Sequence, residues 1–443
     1  MDREDLMETM MVETIKPSSA TPQSLRTLHL SMLDYGMHPS YTLACFFYKR
    51  DDPSIPRDQT TLKLKTSLSE TLTKFYPFAG RIKGVTIECN DEGAILVEAS
   101  LNKCTLSDFL KSPDAKTIQK YLLPLDLIDN LSQAAVTWPL LLVKATYLQC
   151  GGMTIGICMS HKLADAASLS TFVRAWAATA RGESHAVVEP EFAGVKLYPP
   201  ANLAFKFPEI ETGKRLSVTK RFLFSRLNIE ELRNKATIRQ QILPRPTRVE
   251  CVTALLWRCV IASSSKTTCT KMLGQPANLR NKIPSLLSQN LIGNIIYSTM
   301  TFNLKNEIDI QETVKELRER AEELTSLIQE GCADQSTTAL GSKLVDKMVA
   351  DYSKLSDDPD GHKLYEVSSW CKLPFYETDF GTGPPVWVFG SVAPIAEFVT
   401  FLLDSNDLQG IEAWVTLAEE DMALFEQNPE LLAFASPSSP VFF

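Results

Sequence analysis

Apolar residues recur along the chain at two different spacings, which predict a protein built from both helices and strands. Four apolar residues at helical spacing precede Pro77, which is expected to end the helix. They are Leu64, Leu68, Leu72 and Phe75. The later stretch GAILVEASL instead alternates between apolar and polar positions, as a half-buried strand does.

The end of the first half predicts a strand hairpin followed by a helix. LLVKATYL and MTIGICMS are rich in strand-forming residues, and the four residues QCGG between them suit an antiparallel turn. Beyond His161, apolar residues return at helical spacing, and Asp165 is placed to cap that helix. The apolar positions are Leu169, Phe172, Val173, Trp176 and Ala180. His161 therefore lies at a predicted junction between a strand and a helix.

The second half of the chain carries two strong helix signals. Thr247 and Glu250 have the spacing of a capping box before an apolar helical face. Farther on, one helical stripe is apolar and the opposite face is charged, and Gly331 is expected to end that helix. The stripe consists of Ile310, Val314, Leu317, Ala321, Leu324 and Ile328.

The length and composition predict a globular protein with two domains. The chain has 443 residues, of which 44% are hydrophobic and 22% are charged, enough for a large buried core. Residues 181–221 are rich in proline and polar side chains and lack long periodicity, as expected of a connection between domains. We therefore predict an N-terminal domain over residues 1–185, a crossover loop over 186–225 and a C-terminal domain over 226–443.

Charge and cysteine usage exclude several kinds of partner. The net charge of -8 argues against a nucleic-acid surface, which needs clustered Lys and Arg. The N-terminus has no signal pattern, and no apolar run reaches the roughly 20 residues of a membrane-spanning helix. The ten cysteines are scattered without metal-binding spacing. These features predict reduced thiols, no bound metal, no membrane partner and a cytoplasmic location.

Motifs of several enzyme classes are absent from the sequence. There is no G-x-S-x-G elbow of a serine hydrolase, no Walker loop and no H-E-x-x-H zinc motif, and GTGPPV lacks the third glycine of a dinucleotide fingerprint. Five histidines remain as candidate bases: His29, His38, His161, His185 and His362. Four of them lie in polar stretches or have no partner signal, whereas His161 follows an apolar strand.

The spacing of His161 and Asp165 leaves two interpretations open. A neutral imidazole, whose reference pKa is ~6.5, can take a proton from an alcohol at neutral pH. An ordinary histidine at a strand end would give the same H-x-x-x-D spacing, which is common by chance. Composition and spacing alone do not decide between a catalytic base and a structural histidine.

Longer strings of residues resemble one known family. SHKLADAASLSTFVRAWA and SSWCKLPFYETDFGTGPPVWV are similar to the two signature regions of the BAHD acyltransferases, plant enzymes that move an acyl group from coenzyme A to an alcohol or amine. The resemblance runs nearly end to end. Further similar strings are IKPSSATPQSLRTLHLSMLDY, FYPFAGRI, IECNDEGAILVEA, PTRVECVTALLWRC, NLRNK, IGN and GIEAWVTLAEEDMALFEQNPELLAFAS.

The resemblance implies a two-domain α/β fold of the chloramphenicol-acetyltransferase type, with mixed sheets flanked by helices and a central solvent channel. In such a fold a segment near residues 373–400 could pack with the N-terminal domain. His161 would be the general base at the middle of the channel. Asp165 would fix the loop by bonding a nearby arginine, and Asp379 would pair with Arg280.

The second signature departs from the family pattern D-F-G-W-G and reads DFGTG here. Gly381 and Gly383 are expected to adopt backbone angles that a side chain would forbid. Thr382 stands where the family has a tryptophan linked to stabilising the oxyanion. Thr382 is therefore a candidate oxyanion contact, and packing in a structural turn is the alternative.

The resemblance predicts a monomeric acyl-CoA-dependent O-acyltransferase with no permanently bound cofactor, acting on a small-molecule alcohol. HKLADAAS and ETIKPSSATPQSL are similar to the family's alkaloid-acetyltransferase branch, which favours acetyl-CoA as co-substrate and an alkaloid acceptor. One alternative is another acyl donor, such as benzoyl or a branched short chain, or an amine acceptor. Another is a protein that binds a metabolite without turnover, suggested by Thr382 and by Lys282 in place of a common arginine. The resemblance assigns no residue to coenzyme A binding.

Overall fold

The chain forms both strands and helices, as the hydrophobic pattern predicts. The computed structural model describes residues 9–49, 56–129, 138–200, 216–237, 244–264, 270–283, 286–303, 308–332, 336–356, 362–393 and 398–443. The strands in these ranges are β1 (Thr9–Ile15), β2 (Thr27–His29), β3 (Tyr41–Tyr48), β4 (Arg81–Lys83), β5 (Thr86–Glu88), β6 (Ala94–Leu101), β7 (Leu141–Leu148), β8 (Met153–Ser160), β9 (Ser217–Phe224), β10 (Thr270–Asn278), β11 (Ile296–Asn303), β12 (His362–Ser369), β13 (Trp387–Ala393), β14 (Val399–Asp404), β15 (Ile411–Ala418) and β16 (Ser436–Pro437). The helices are α1 (Met32–Gly36), α2 (Arg57–Lys74), α3 (Leu106–Leu110), α4 (Ala115–Leu122), α5 (Leu125–Asp129), α6 (Ala166–Ala180), α7 (Gly194–Leu197), α8 (Arg226–Ala236), α9 (Arg248–Ser263), α10 (Ile310–Cys332), α11 (Thr337–Ser356), α12 (Glu419–Phe425) and α13 (Pro429–Phe434).

The first sheet has six strands in the order β1-β6-β7-β8-β3-β13. β7 and β8 form the predicted antiparallel hairpin around QCGG. β13 comes from the second half of the chain and pairs antiparallel with β3. Helices α2 and α6 pack against each other, and the α6 side chains of Phe172 and Trp176 are fully buried in the same core as this sheet. The segment near residues 373–400 thus supplies an edge strand to the N-terminal sheet.

The second sheet has seven strands in the order β11-β10-β12-β14-β15-β9-β16. Its β10, β12 and β14 run parallel, and the other neighbours pair antiparallel. One face packs on α9, where the ring of Trp257 lies against that of Tyr365. The opposite face meets the first sheet and is called the inner face here; it carries Phe401 and Trp414. A third, small sheet has the order β2-β5-β4.

A buried ion pair fastens the inner face to the first sheet. The Arg221 guanidinium donates two hydrogen bonds of 2.7 Å to the Glu412 carboxylate, and both side chains are 2% exposed. The indole N–H of Trp387 on β13 donates to the same carboxylate at 2.9 Å. Because each charge has a partner, the desolvation cost of burying the pair is offset. The contact ties β13 to β15 across the two sheets.

Two boundaries differ from the sequence prediction. Residues 217–224 form β9 of the second sheet, so the predicted crossover loop over 186–225 is too long at its C-terminal end. Helix α10 also continues through Gly331 instead of ending there. A β-carbon on Gly331 would lie 2.6 Å from Leu340 Cδ1, so this glycine allows α10 and α11 to approach closely.

Candidate active site

His161 follows β8 directly and is held through its backbone by both halves of the chain. Its N–H donates to the carbonyl of Ser40, just before β3, at 2.8 Å. Its carbonyl accepts a 2.8 Å hydrogen bond from the side-chain amide of Asn294, which lies just before β11. Since one contact belongs to the first sheet and the other to the second, His161 lies where the two sheets meet.

The imidazole of His161 is partly buried and neutral at pH 7. Its Nδ1 is buried without a hydrogen-bond partner among the described residues. Burial lowers the pKa of His161 below its usual value, because it disfavours the charged ring. The nearby carboxylates of Asp165 and Asp34 oppose this shift without cancelling it. A neutral imidazole has one ring nitrogen with a free lone pair, and that nitrogen can accept a proton.

Asp165 fixes the loop between His161 and α6. One carboxylate oxygen accepts from the backbone N–H of Ser168 at 2.8 Å, which is the predicted N-terminal cap of α6. The other accepts from Arg280 at 2.8 Å and from the N–H of Ile295 at 3.1 Å. Burial would raise the pKa of Asp165, but the Arg280 guanidinium holds the pKa below its usual value. Asp165 is therefore a charged structural residue.

The expected pair between Asp379 and Arg280 is wrong. Arg280 bonds Asp165 instead, and its guanidinium also donates to the carbonyls of Leu291 and Gly293. The Asp379 carboxylate accepts from the backbone N–H groups of the next turn, at 2.6 Å from Gly381 and 3.0 Å from Thr382. The two aspartates of the signature motifs thus stabilise two separate loops.

The DFGTG loop needs its glycines, as predicted. Gly381 has a φ of +92° and Gly383 a φ of +80°, which a residue with a side chain rarely adopts. The carbonyl of Phe380 accepts from the Lys63 ammonium at 3.0 Å, and the Asp379 carbonyl accepts from the Arg181 guanidinium. The loop is therefore attached to α2 and to the residue that follows α6.

This loop lies far from His161. α6 has 15 residues and runs from the His161 loop to Arg181, a length of about 22 Å at 1.5 Å per residue. β3 gives the same result: Ser40, at one end, holds His161, and the Tyr48 hydroxyl, at the other end, donates to the Thr378 carbonyl at 2.9 Å. Eight extended residues span about 26 Å. The expected contact of Thr382 with an oxyanion at His161 is therefore wrong.

Sequence reasoning missed two polar residues beside His161. The backbone and side-chain N–H groups of Asn294 both donate to Asp34, at 2.9 and 2.8 Å. Ser31 caps the N-terminus of α1, and its hydroxyl donates to the Asp34 carboxylate in a capping box. The sequence S-x-x-D could have indicated this capping box. Burial raises the pKa of Asp34 above its usual value. These contacts fix the amide that bonds the His161 carbonyl.

Cys158 and three of the other histidines make no side-chain hydrogen bond to His161 within the described ranges. Cys158 is fully buried in β8, and burial raises the pKa of its thiol well above its usual value, so it is a core residue. His29, His38 and His185 are exposed. Within the described ranges, no group of His, Cys, Asp and Glu could hold a metal ion. Among the helices of the same ranges, none has the length and apolar character needed to cross a bilayer.

Comparison with known proteins places the chain in a family. The model of a family described as "Transferase family" matches residues 6–432. BAHD acyltransferase BIA1 of Arabidopsis thaliana is 37% identical, over 98% of this chain and 99% of its own. Stemmadenine O-acetyltransferase of Catharanthus roseus is 32% identical, over 95% of this chain and 96% of its own. A third relative is the 17,18-epoxy-17-hydroxycur-19-ene N-malonyltransferase of Strychnos nux-vomica. It is 35% identical, over 95% of this chain and 89% of its own.

Solved structures agree with this placement. The crystal structure of vinorine synthase superposes with a TM-score of 0.80, at 30% identity, and covers 98% of this chain and 100% of that one. TRI101 of F. sporotrichioides, solved with coenzyme A and T-2, has a TM-score of 0.69 at 17% identity and covers 93% of this chain and 100% of that one. At this identity the match supports the fold alone. The fold is of the chloramphenicol-acetyltransferase type. The chain belongs to the transferase family of the BAHD acyltransferases and is an acyltransferase.

Proposed function

We propose that this acyltransferase moves an acetyl group from acetyl-CoA to a hydroxyl of a plant specialised metabolite, with an alkaloid as the acceptor class. His161 acts as the general base in a complex that holds both substrates at once. The observation that carries the proposal is the neutral, partly exposed imidazole of His161, fixed through its backbone at the meeting point of the two sheets.

The chemistry follows from the protonation state of His161. The neutral ring takes the proton of the acceptor hydroxyl as the oxygen attacks the thioester carbonyl. The resulting tetrahedral intermediate collapses, the C–S bond breaks, and the imidazolium returns its proton to the departing thiolate. No covalent enzyme intermediate is needed, in agreement with the burial of Cys158 in the core.

The acetyl donor and the alkaloid acceptor are supported by relatives. Stemmadenine O-acetyltransferase and minovincinine 19-hydroxy-O-acetyltransferase, both of Catharanthus roseus, are 32% and 35% identical to this chain. Their names specify acetyl transfer to an oxygen. The Strychnos N-malonyltransferase favours a second candidate, in which the donor is malonyl-CoA and the acceptor is an amine.

Turnover with defined thioesters tests both candidates. The protein is incubated with acetyl-, malonyl- or benzoyl-CoA and a library of alkaloid alcohols and amines, while free thiol and product masses are recorded. We expect acetyl-CoA to give a singly acetylated alkaloid ester. A malonylated amide would support the second candidate, and no thiol release with any pair would reject transfer to these acceptors and favour a binding protein.

Replacement of His161 tests its role as the base. His161→Ala should reduce kcat by about 10²–10⁴-fold, the usual contribution of a general base. His185→Ala is the matched control, because His185 is exposed in the segment that follows α6. Equal turnover in His161→Ala and the parent enzyme would reject the assignment of His161 as the base.

A further inference from the structure

One carboxylate on the inner face of the second sheet has no side-chain partner among the residues that the structure describes. Glu366 lies in the middle of β12, opposite Gly274 on β10 and Val399 on β14. Val399 belongs to the core shared with the first sheet, so the Glu366 side chain is directed to the side where the two sheets face each other. Tyr365 and Val367, on either side, instead pack on α9.

The surroundings of the Glu366 carboxylate are apolar. Gly274, next to it on β10, contributes no side chain, and a β-carbon there would lie 3.3 Å from Leu364 Cδ1 and 3.5 Å from Met300 Sδ. Leu364 shares the inner face with Glu366, and Met300 lies opposite Gly274 on β11. Glu366 is therefore flanked by aliphatic and thioether groups.

No described residue neutralises this carboxylate. The hydrogen bonds of Glu366 in the described ranges involve its backbone, and its side chain forms neither a hydrogen bond nor an ion pair there. Burial raises the pKa of Glu366 to about 7. Glu412, on the same face, shows the contrast, since its carboxylate is paired with Arg221. A carboxylate that the fold leaves unpaired in apolar surroundings is characteristic of a binding or catalytic residue.

The position of Glu366 relates it to the reaction site. Glu366 is partly exposed, as are Ser368 on the same strand and Ser298 on β11, so the inner face is open along these residues. β11 starts two residues after Asn294, the residue that bonds His161. Ser298 lies on β11 between the His161 junction and Met300, so partly exposed residues of the inner face follow the strand that starts at this junction.

We propose that Glu366 is an anionic anchor in the acceptor-binding cleft and pairs with a protonated amine of the acceptor. The inference rests on the proposed acyl transfer at His161 and names the feature of the acceptor that this chain selects. A cationic ammonium group gains a charge-assisted hydrogen bond to the carboxylate, and the apolar residues around it suit the carbon skeleton of a polycyclic amine. The alcohol or amine to be acylated then lies at the His161 end of the same molecule.

Calorimetric binding of two probes tests the anchor without turnover. The probes are N-methyl-tetrahydro-β-carboline, a protonated tertiary amine at pH 8, and its neutral N-acetyl counterpart. We expect Glu366→Gln to weaken binding of the cation by about 10- to 100-fold, the range of a hydrogen bond to a charged group. Binding of the neutral probe should stay unchanged.

Two further variants sharpen the result. Glu366→Asp keeps the charge and should retain part of the affinity for the cation, whereas Glu377→Gln changes an exposed carboxylate and should have no effect. Equal affinity of the parent protein and Glu366→Gln for the cation, or no binding of the cation by the parent protein, would overturn the anchor. Failure of the proposed acyl transfer would instead appear as absent thiol release, whatever the calorimetry gives.

Discussion

Asp165 and Arg280 form a buried ion pair that joins the His161 loop to the segment after β10. The two charged atoms lie 2.8 Å apart, and the side chains are 6% and 3% exposed. Asp165 begins α6 in the first half of the chain, and Arg280 follows β10 of the second sheet. The carboxylate of the H-x-x-x-D motif thus connects the two halves of the protein instead of bonding the His161 ring.

Breaking this pair should destabilise the protein strongly. Asp165→Asn leaves the guanidinium of Arg280 buried without a counter-charge, and we expect a loss of about 3–5 kcal/mol in the free energy of unfolding. Denaturant titration measures it. Glu377→Gln is the control, because its partner Arg174 lies on α6, the helix that Asp165 begins, and the two side chains are 64% and 48% exposed. An exposed pair contributes roughly 0–1 kcal/mol. Equal losses in the two variants would contradict a structural role for the buried pair.

The pH profile of kcat/KM should report the neutral form of His161. Burial lowers the pKa of the ring below 6.5, so the base stays neutral until the pH falls below that value. We expect activity to be level above pH 7 and to fall tenfold per pH unit below the shifted pKa. The measurement is an initial-rate series with a substrate that does not titrate in this range. A midpoint above 6.5 would show that the ring environment favours the imidazolium.

Thr382→Val should leave kcat unchanged. Thr382 lies on the loop beyond the far end of α6, about 22 Å from the His161 loop by the length of that helix. Removal of a true oxyanion donor costs about 10²–10³-fold in rate. Its hydroxyl is also buried without a described partner, so valine should not lower stability. A hundredfold loss of kcat in this variant would contradict the distance argument.

Gly381→Ala should destabilise the DFGTG loop. The φ of +92° strains any residue with a side chain, and the new β-carbon would lie 2.5 Å from the Lys63 ammonium nitrogen. We expect a loss of about 1–3 kcal/mol, measured by denaturant unfolding. Gly84→Ala is the matched control, since its φ is +60° and nothing lies within 4 Å of an added β-carbon. A smaller loss for Gly381→Ala than for Gly84→Ala would show that Lys63 moves aside without cost.

Glu366→Gln should stabilise the protein at high pH and not at low pH. The pKa of Glu366 is about 7 in the fold, against 4.5 ordinarily. Below pH 4 both the folded and the unfolded chain carry a protonated carboxyl. Between 4.5 and 7 the unfolded chain loses the proton first, so folding stability falls as the pH rises. The full penalty of about 3 kcal/mol applies above pH 7, and glutamine removes it. Unfolding at pH 4 and pH 8 measures the difference, and equal values would contradict the raised pKa.

Local signals in the sequence identified the elements around His161. Strand-forming residues and QCGG predicted the β7–β8 hairpin, and Asp165 predicted the start of α6, because both depend on neighbours within a few residues. Contacts between distant residues could not be predicted in the same way. The resemblance pairs Arg280 with Asp379, whereas Arg280 bonds Asp165, 115 positions away, and no local pattern distinguishes two such distant aspartates.

Asn294 and Glu366 show the same limit in two forms. Asn294 bonds Asp34 across 260 positions, and no periodicity marks such a contact. Glu366 lies in a strand whose side chains alternate between the two faces of the sheet. The sequence alone does not tell which of the two faces is directed to the first sheet. The resemblance to the family predicted the fold, whereas the register of β12 required the structure.

The addition of β13 at the edge of the first sheet affects how the protein is made. The last of the other five strands ends at residue 160, so a ribosome must synthesise most of the chain before residues 387–393 can complete the sheet. Until then β3 is an exposed edge strand, although all eight of its residues are buried in the complete protein. Such an edge is prone to pair with other chains. Expression of the N-terminal half by itself should therefore yield aggregates, and slow translation at low temperature should favour soluble full-length protein.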